Sequence, residues 1–429
     1  MVALLKRARA ESPFYRRRYE GLPDEPLEPL DLRDLPPVTK PELMASFDDW
    51  VTDPGLTRDG LEKFVADPAL LGVPYRGGYF VCTSSGTSGH PGLFVHDRGA
   101  ITVLRAMVIA RIDAGWLTPR EWLQLTARGF RWAAVVGTGG HFAGAGWIEL
   151  ERRRSRWRAR AFRLFSVQRP LAELATALQE FDPAILTAYP SALQLLAEEQ
   201  SAGRLHLRPV LVEAAGESVS SDARAGMAGA FGCSVHDVYA ASECPWLAFD
   251  CAAGWLHVNS DWAVLEPVDE AFRPTPPGEP SYTVLLTNLA NHVQPIIRYD
   301  LGDSVLARPA PCPCGNPLPA IRVVGRCDDV LRLTGSDGSA VSILPLAITS
   351  VVERTPAVHR SQLIQTGPDA IRLRVEPRPG EDVERMWLDV TTNLHGYLVD
   401  QGLGNVSVVR ASEPPEQSAV SGKFRQVIA

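Results

Sequence analysis

The stretch from residue 171 to 243 constrains the fold most, because two hydrophobic periods alternate along it in a fixed order. Leu171–Phe181 repeats its apolar residues at helical spacing, and the apolar run Ala184–Ala188, ending at Tyr189-Pro190, reads as a strand. Ser191 is placed to cap a helix over Ala192–Ala202 that stops at Gly203. Pro209–Ala214 is the next predicted strand, ending in Ala215-Gly216-Glu217. Ser220 or Ser221 caps a helix through Phe231, stopped by Gly232, and Ser234–Tyr239 is a third strand ending in Ala240-Ala241-Ser242-Glu243. Strand–helix–strand–helix–strand predicts a parallel sheet with right-handed crossovers. All three strands then end on one edge, beyond which open parallel sheets bind ligands. Tyr189, Gly216, Glu217, Tyr239, Ser242 and Glu243 are therefore expected to line one crevice.

The remaining chain sets the frame. At 429 residues, with 45% hydrophobic and 22% charged content, it is globular and too long for a single core. No run of 18 apolar residues offers a membrane span, and Lys6, Arg7 and Arg9 interrupt Met1–Ala10, so a cytoplasmic protein is expected. The net charge is −7. The cluster Arg152–Arg154 with Arg156, Arg158 and Arg160 reads as a solvated or phosphate-contacting edge rather than a nucleic-acid surface. Lysine occurs only at Lys6, Lys40, Lys63 and Lys423, which makes each one notable. A proline-punctuated segment, Pro23 to Pro37, is expected to wrap the surface. After about residue 325 strands and one long helix, Glu381–Asp400, compose a compact α+β unit. We expect a large body over 1–326 and a small unit over 327–429.

Four motifs carry chemistry. Thr83–Gly92 holds five hydroxyls and three glycines in ten residues after the apolar Tyr79–Cys82. Glycines let backbone N–H groups approach an anion and hydroxyls add donors, which suits a triphosphate; the same composition also suits a flexible hairpin. It is not a Walker A loop, since Gly-x-x-x-x-Gly-Lys-Ser/Thr is absent. Arg298-Tyr299-Asp300-Leu301-Gly302-Asp303 puts a carboxylate on a glycine turn, able to accept two ribose hydroxyls or merely to cap a turn. Gly325-Arg326-Cys327-Asp328-Asp329 stands where the texture changes, as a hinge or a solvated linker. Ser421-Gly422-Lys423 closes an otherwise plain tail.

Taken in order with Tyr239-x-x-Ser242-Glu243, these motifs resemble the ordered signatures of the adenylate-forming superfamily. Ser12–Arg18 with Leu35–Lys40, Gln294–Tyr299, and Cys312-Pro313-Cys314-Gly315 are similar to its phenylacetate–CoA ligase branch. The resemblance spans Ser12 to Val427. It implies an α/β fold, a large N-terminal domain of parallel-containing sheets flanked by helices, with a small mobile α+β C-terminal domain. It also implies ATP- and Mg²⁺-dependent activation of a small, aromatic carboxylic acid as its acyl-adenylate, followed by transfer to coenzyme A.

Roles follow residue by residue from the resemblance. Ser84, Ser85, Gly86, Thr87, Ser88 and Gly89, with His90, would hold the β- and γ-phosphates. Gly216 and Glu217 would border adenine, Tyr239 would stack on it, and Ser242 would stand beside them. Glu243 would hold Mg²⁺, Asp303 would grip the ribose, and Arg326 would assist there. Asp328 would be the pivot of the small domain, and Lys423 would reach in during adenylation, its ammonium offsetting charge that builds on the phosphoryl oxygens.

The chain departs from the pattern in two places. His90 stands where the phosphate loop usually has Lys, and Ser336–Ser339 rewrites a turn on the CoA-facing surface. Trp132, His141, Phe142, Ala214 and Ala240 are the expected walls of the acid pocket. Cys251-x5-His257 with Cys312-x-Cys314 makes a Cys₃His set suited to structural Zn²⁺, with free thiols as the other reading and Cys244 as a substitute for Cys251. Expected partners are the carboxylic acid, ATP, and CoA or another acceptor such as an amine or carrier-protein thiol. Nucleic acid and membrane are not expected, and the oligomeric state is open, a homodimer included. A non-catalytic nucleotide sensor on the same fold is the competitor of another class.

Overall fold

The computed structural model describes residues 1–22, 32–84, 92–217, 219–326, 329–343, 345–417 and 424–429. The fold is α/β, mixed sheets flanked by helices. A hairpin of β1 (Phe80–Thr83) and β2 (Leu93–His96) brackets the hydroxyl-rich loop. Five strands follow in parallel: β3 (Trp132–Val136), β4 (Phe162–Ser166), β5 (Ile185–Ala188), β6 (Leu211–Ala215) and β7 (Val235–Ala241). β8 (Cys244–Asp250) and β9 (Leu256–Val258) continue antiparallel. β10 (Ala263–Val268), β11 (Thr283–Asn288) and β12 (Ile296–Asp300) form a separate three-stranded sheet, while β13 (Asp303–Ala307) and β14 (Ala320–Arg326) rejoin the first. The resulting order is β13-β14-β9-β8-β7-β6-β5-β3-β4.

The parallel core matches the expectation from 171–243. Helix Leu171–Phe181 has the predicted bounds. In helix Ser221–Phe231, Ser220 accepts from the Ala223 N–H, and Gly232 closes the end at φ +67°. One boundary differs. The helix after β5 is Pro190–Ser201, with Pro190 in its first turn and Tyr189 as N-cap, so Ser191 is inside the helix and is not its cap. Proline's fixed φ favours that first position.

The proline-punctuated segment also differs in part. Leu35 and Val38 are buried, and Val38 exchanges backbone hydrogen bonds with β12, accepting from Asp300 N–H and donating to the Arg298 carbonyl, both at 2.9 Å. Pro36-Pro37 therefore leads into the core rather than around it. Arg298, at φ +49°, sends its guanidinium to the carbonyls of Leu35 and Arg33 and to Glu266, tying this segment down.

Buried residues fall into separate clusters. One joins the N-terminal segment to β1, β2 and β8–β13, and another lies between β3–β7 and their helices. A third runs from Leu331 to Val427 and shares no residue with the others. It is built on the hairpin β15 (Leu331–Thr334) and β16 (Ala340–Ile343), the strands β17 (Val358–Gly367), β18 (Ala370–Pro377), β19 (Ser407–Arg410) and β20 (Val427–Ile428), and helix Val383–Asp400. Residues 335–339 form the tight turn between β15 and β16, with Asp337 accepting from Ser339. No helix among the described residues is long and apolar enough to cross a membrane.

Candidate active site

The parallel strands end together, and three groups of functional side chains gather near their C-terminal edge. The first centres on Asp303. Register places Asp303 directly opposite Arg326 across β13 and β14, and Arg326 Nη1 donates to Asp303 Oδ1 at 3.1 Å. Tyr239 Oη donates to the other carboxylate oxygen at 2.6 Å. Burial, and then the Asp303 charge, hold the Tyr239 phenol far above its ordinary range, so it remains a donor. Gly325 sits at φ +146°, and a Cβ there would fall 2.9 Å from Pro345 Cγ, so glycine is required beside Arg326.

The second group centres on Glu243, which is 5% exposed. Tyr299 Oη donates to Glu243 Oε1 at 2.7 Å, and Lys40 Nζ lies 3.8 Å from the same oxygen. Asn288 Nδ2 holds the Glu243 carbonyl at 3.0 Å. Burial and the neighbouring carboxylate raise the Tyr299 pKa far above normal, keeping it protonated. Lys40 and Tyr299 stand inside sequence motifs that point to no role for either; the scarcity of lysine is the one signal for Lys40.

The third group is the β1–β2 hairpin. Gln294 serves β2 as a neighbouring strand would: Oε1 accepts from Val95 N–H at 2.8 Å and Nε2 donates to the Leu93 carbonyl at 3.1 Å. Asn291 Nδ2 holds the Val95 carbonyl at 2.8 Å. His96 Nε2 lies 3.0 Å from the Ser242 carbonyl, and Ser242 Oγ lies 3.5 Å from the Thr83 carbonyl. Burial lowers the His96 pKa, which leaves a neutral imidazole able to donate there. The hairpin is thereby stitched to the turn that carries Glu243. Ser84 Oγ accepts from Gly92 N–H at 2.6 Å, closing the loop's mouth. Ser85, Gly86, Thr87, Ser88, Gly89 and His90 lie outside the described residues, as do Asp328 and Lys423.

Glu217 follows Gly216, which takes φ +86°. Its carboxylate accepts from Ser191 N–H at 3.0 Å, from Ser191 Oγ at 3.1 Å and from Phe424 N–H at 2.7 Å. Phe424 is the sequence neighbour of Lys423.

The expected acid-pocket walls do not all gather in one place, though Ala214 and Ala240 stand near the C-terminal ends of β6 and β7. Trp132 opens β3, at the edge opposite the strand C-termini, and its indole donates to Thr187 Oγ1 at 2.8 Å. Four residues at about 3.3 Å each put it roughly 13 Å from the far end of its strand. His141 is 1% exposed, with Nε2 2.9 Å from the Asp67 carbonyl and its ring edge-on to Phe64. It packs as a core residue, contrary to the expectation from its flanking glycines. Ala214 is fully buried, and Ala240 packs with Trp116, Val238 and Phe249. Phe142 bridges Thr83 of the β1–β2 hairpin, and the bond that makes the bridge comes from its neighbour, the His141 carbonyl accepting from Thr83 N–H at 2.8 Å.

Away from the strand ends, Cys251, His257, Cys312 and Cys314 bring one ligand atom each within 4.8 Å of one another. Cys251 Sγ and Cys312 Sγ are 3.7 Å apart, close to the ~3.8 Å edge of a tetrahedron with ~2.3 Å metal–sulfur bonds. His257 Nδ1 lies 2.9 Å from the Leu318 carbonyl, which leaves Nε2 facing Cys314 at 3.2 Å.

No family model matches the chain. It is 26% identical over 360 residues to the phenylacetate-coenzyme A ligase of Thermus thermophilus, a match covering 81% of this chain and 72% of that protein. Its fold is similar to 2-hydroxyisobutyryl-CoA ligase in the postadenylation state with 2-HIB-AMP, at TM-score 0.72 and 22% identity, covering all of this chain and 88% of that one. The same ligase in the thioesterification state, with 2-HIB-AMP and CoA, gives TM-score 0.56 at 22% identity and the same coverage. In fold, ordered motifs and sequence the chain is similar to the AMP-forming ligases of the adenylate-forming superfamily. In sequence, the likeness is to phenylacetate–CoA ligase.

Proposed function

We propose that this enzyme uses ATP and Mg²⁺ to convert a small carboxylic acid to its acyl-adenylate and then passes the acyl group to CoA. The observation that carries the reading is the convergence of three groups: Asp303 with Tyr239 and Arg326, Glu243 with Tyr299 and Lys40, and the hairpin ending at Ser84. A nucleotide laid across them meets a ribose acceptor, a buried carboxylate suited to Mg²⁺, and the hairpin whose sequence carries the hydroxyl- and glycine-rich run, in that order. Fixed donors and charges of this kind act without reorganising during reaction.

In the first half-reaction the acid's carboxylate attacks the α-phosphorus and the bond to pyrophosphate breaks. Lys423 supplies the ammonium that offsets the developing charge. In the second, the CoA thiol attacks the acyl carbon, AMP leaves, and the thiol proton passes to solvent. Phenylacetate–CoA ligase similarity supports an arylacetic or aryl acid. Of the aromatic wall expected from the sequence, Phe142 and His141 lie beside the hairpin, with the His141 ring turned to Asp67 and Phe64, so substrate panels should include short aliphatic acids.

The Cys251–His257–Cys312–Cys314 cluster fits a structural Zn²⁺. The thiolates and the carbonyl-oriented imidazole would supply a closed, four-ligand shell that fastens β8 and β9 to the 312–318 loop. Pyrophosphate release with a panel of aryl and short aliphatic acids, with and without CoA, tests the whole reading. Release with one acid class and CoA-dependent AMP formation support it; no release with any acid supports the nucleotide sensor instead.

A further inference from the structure

The small α+β unit touches the large body at both ends of one helix, Pro190–Ser201. At the N-terminal end, where the N-cap Tyr189 offers no side-chain cap, Glu217 takes that role through Ser191 N–H and Oγ. The same carboxylate, through Oε1, accepts the Phe424 N–H at 2.7 Å. Seven residues after Ser191, and so on the same helix face, Glu198 Oε2 lies 2.7 Å from His359 Nε2 on β17, with Arg378 Nη1 4.0 Å from Oε1.

Phe424 is itself firmly held by the small unit. Its ring lies under the Arg360 guanidinium, 4.6 Å from the centroid. The Arg425 carbonyl accepts from Gln362 Nε2 at 2.9 Å, the Gln426 carbonyl accepts from Leu363 N–H at 2.8 Å, and the Arg425 guanidinium pairs with Asp329. The tail from Phe424 onward therefore moves with β17, and β17 is joined to the large body at Glu198.

We propose that Glu217 and Glu198 form a two-point catch that positions the segment beginning at Phe424 for the first half-reaction. Glu217 acts as a positioning residue, in addition to any contact it makes with the adenine. The proposal rests on the adenylate-forming reading above. The chemistry suits a reversible catch. When the Phe424 N–H withdraws, Ser191 still supplies two donors, so the half-buried carboxylate is not stranded. The helix N-terminus favours that negative charge in both states. The overall likeness runs the same way, with TM-score 0.72 to the postadenylation state of 2-hydroxyisobutyryl-CoA ligase against 0.56 to its thioesterification state.

The test separates the two half-reactions. Glu217→Gln weakens the acceptor, Phe424→Pro deletes the N–H, and Glu198→Gln loosens the second point. Ser191→Ala removes one donor of the helix cap and leaves the Phe424 bond in place. Pyrophosphate exchange reads the first half-reaction, and thioester formation from acyl-adenylate supplied ready-made reads the second. Glu217→Gln and Phe424→Pro are expected to lower the first kcat tenfold or more, and Phe424→Pro, which leaves the Glu217 carboxylate in place, should keep the ATP KM within threefold and the second half-reaction unchanged. The double variant should be no slower than the worse single one. Glu198→Gln should act in the same direction more weakly, and Ser191→Ala should change neither by more than twofold.

A readout without activity is trypsin cleavage after Arg425 of the full-length protein, a bond that none of these substitutions alters. The two main variants should be cut at least fivefold faster than the parent, with circular-dichroism spectra matching the parent's. Equal cleavage rates, equal slowing of both half-reactions, or a raised ATP KM alone would overturn the catch. If the parent itself exchanges no pyrophosphate with any acid, the functional reading fails, while the cleavage comparison still decides the catch. Should Glu217→Gln not fold, Glu198→Gln tests the catch from the other end of the helix by the same two measurements.

Discussion

Tyr239 and Asp303 are 64 residues apart in the chain, and the phenol of the first donates to the carboxylate of the second at 2.6 Å. Four strand spacings separate β7 from β13 in the sheet order, about 19 Å if the sheet were flat at ~4.8 Å per strand. The contact therefore requires the sheet to curl. β14 pairs with β9 only at Ala320 and Ile321, which leaves its Arg326 end outside that ladder and able to bring Asp303 over the strand tips. Asp303 is thus fixed from two sides before any nucleotide arrives.

Tyr239→Phe removes one of those two constraints and keeps the ring. A hydrogen bond to a charged acceptor contributes about 1.5–3 kcal/mol, so the ATP KM should rise roughly tenfold or somewhat more. Asp303→Ala removes the acceptor itself and should raise it further. An unchanged KM in the second variant, measured by pyrophosphate exchange, would place the ribose elsewhere.

Lys423→Ala should abolish adenylation while ATP binding stays within a few-fold of the parent, because the ammonium acts on charge that appears in the transition state. Calorimetric titration with ATP, run beside a pyrophosphate assay, distinguishes this from a binding role. Normal pyrophosphate release would reject the assignment.

Zinc should be present at one equivalent per chain in protein purified without a metal-affinity resin, as measured by elemental analysis. Cys314→Ser should lose the metal and lower the melting temperature by several degrees, since a closed structural site contributes folding energy directly. Metal-free parent protein with an unchanged melting curve would leave the cluster as free thiols.

The Glu198–His359 contact predicts a pH dependence. The Glu198 hydrogen bond, opposed by burial and helped by the charges of Glu198 and Glu376, raises the His359 pKa above 6.5; Arg360 works against it. Arg378, near Glu198, is the other charge facing the contact. Because the docked pKa is the raised one, the contribution to docking is full below the undocked value and is lost as pH rises through the docked value. The ratio of tryptic cleavage rates, His359→Gln over parent, should therefore fall toward one as pH rises through the docked pKa. A ratio constant with pH would deny His359 the role.

Much of the site is legible in the sequence. The 171–243 alternation predicts parallel strands with a shared edge, and Gly232 marks the end of its helix. Motif chemistry singles out Asp303, Arg326, Tyr239 and Glu243, and the structure sets Asp303 against Tyr239 and Arg326. Spacing singles out the Cys/His set, which the fold draws together. Side-chain destination is what misleads. Trp132 looks like a pocket wall in the sequence, but it begins its strand instead of ending it. His141 between glycines looks like a pocket wall rather than core, but the Asp67 carbonyl and Phe64 pack around it.

Local rules explain the difference. Periodicity, proline and glycine positions and cap residues act over a few residues, so the amino-acid order alone determined where strands and helices lie and which groups sit at strand tips. Pairing between tips depends on sheet order, register and curl, which are settled by burying several hundred residues at once. That is why Lys40 meets Glu243, why Gln294 braces the β1–β2 hairpin, and why Phe424 comes to rest on Glu217. Those contacts join segments some two hundred residues apart, and only packing of the whole chain could bring them into reach.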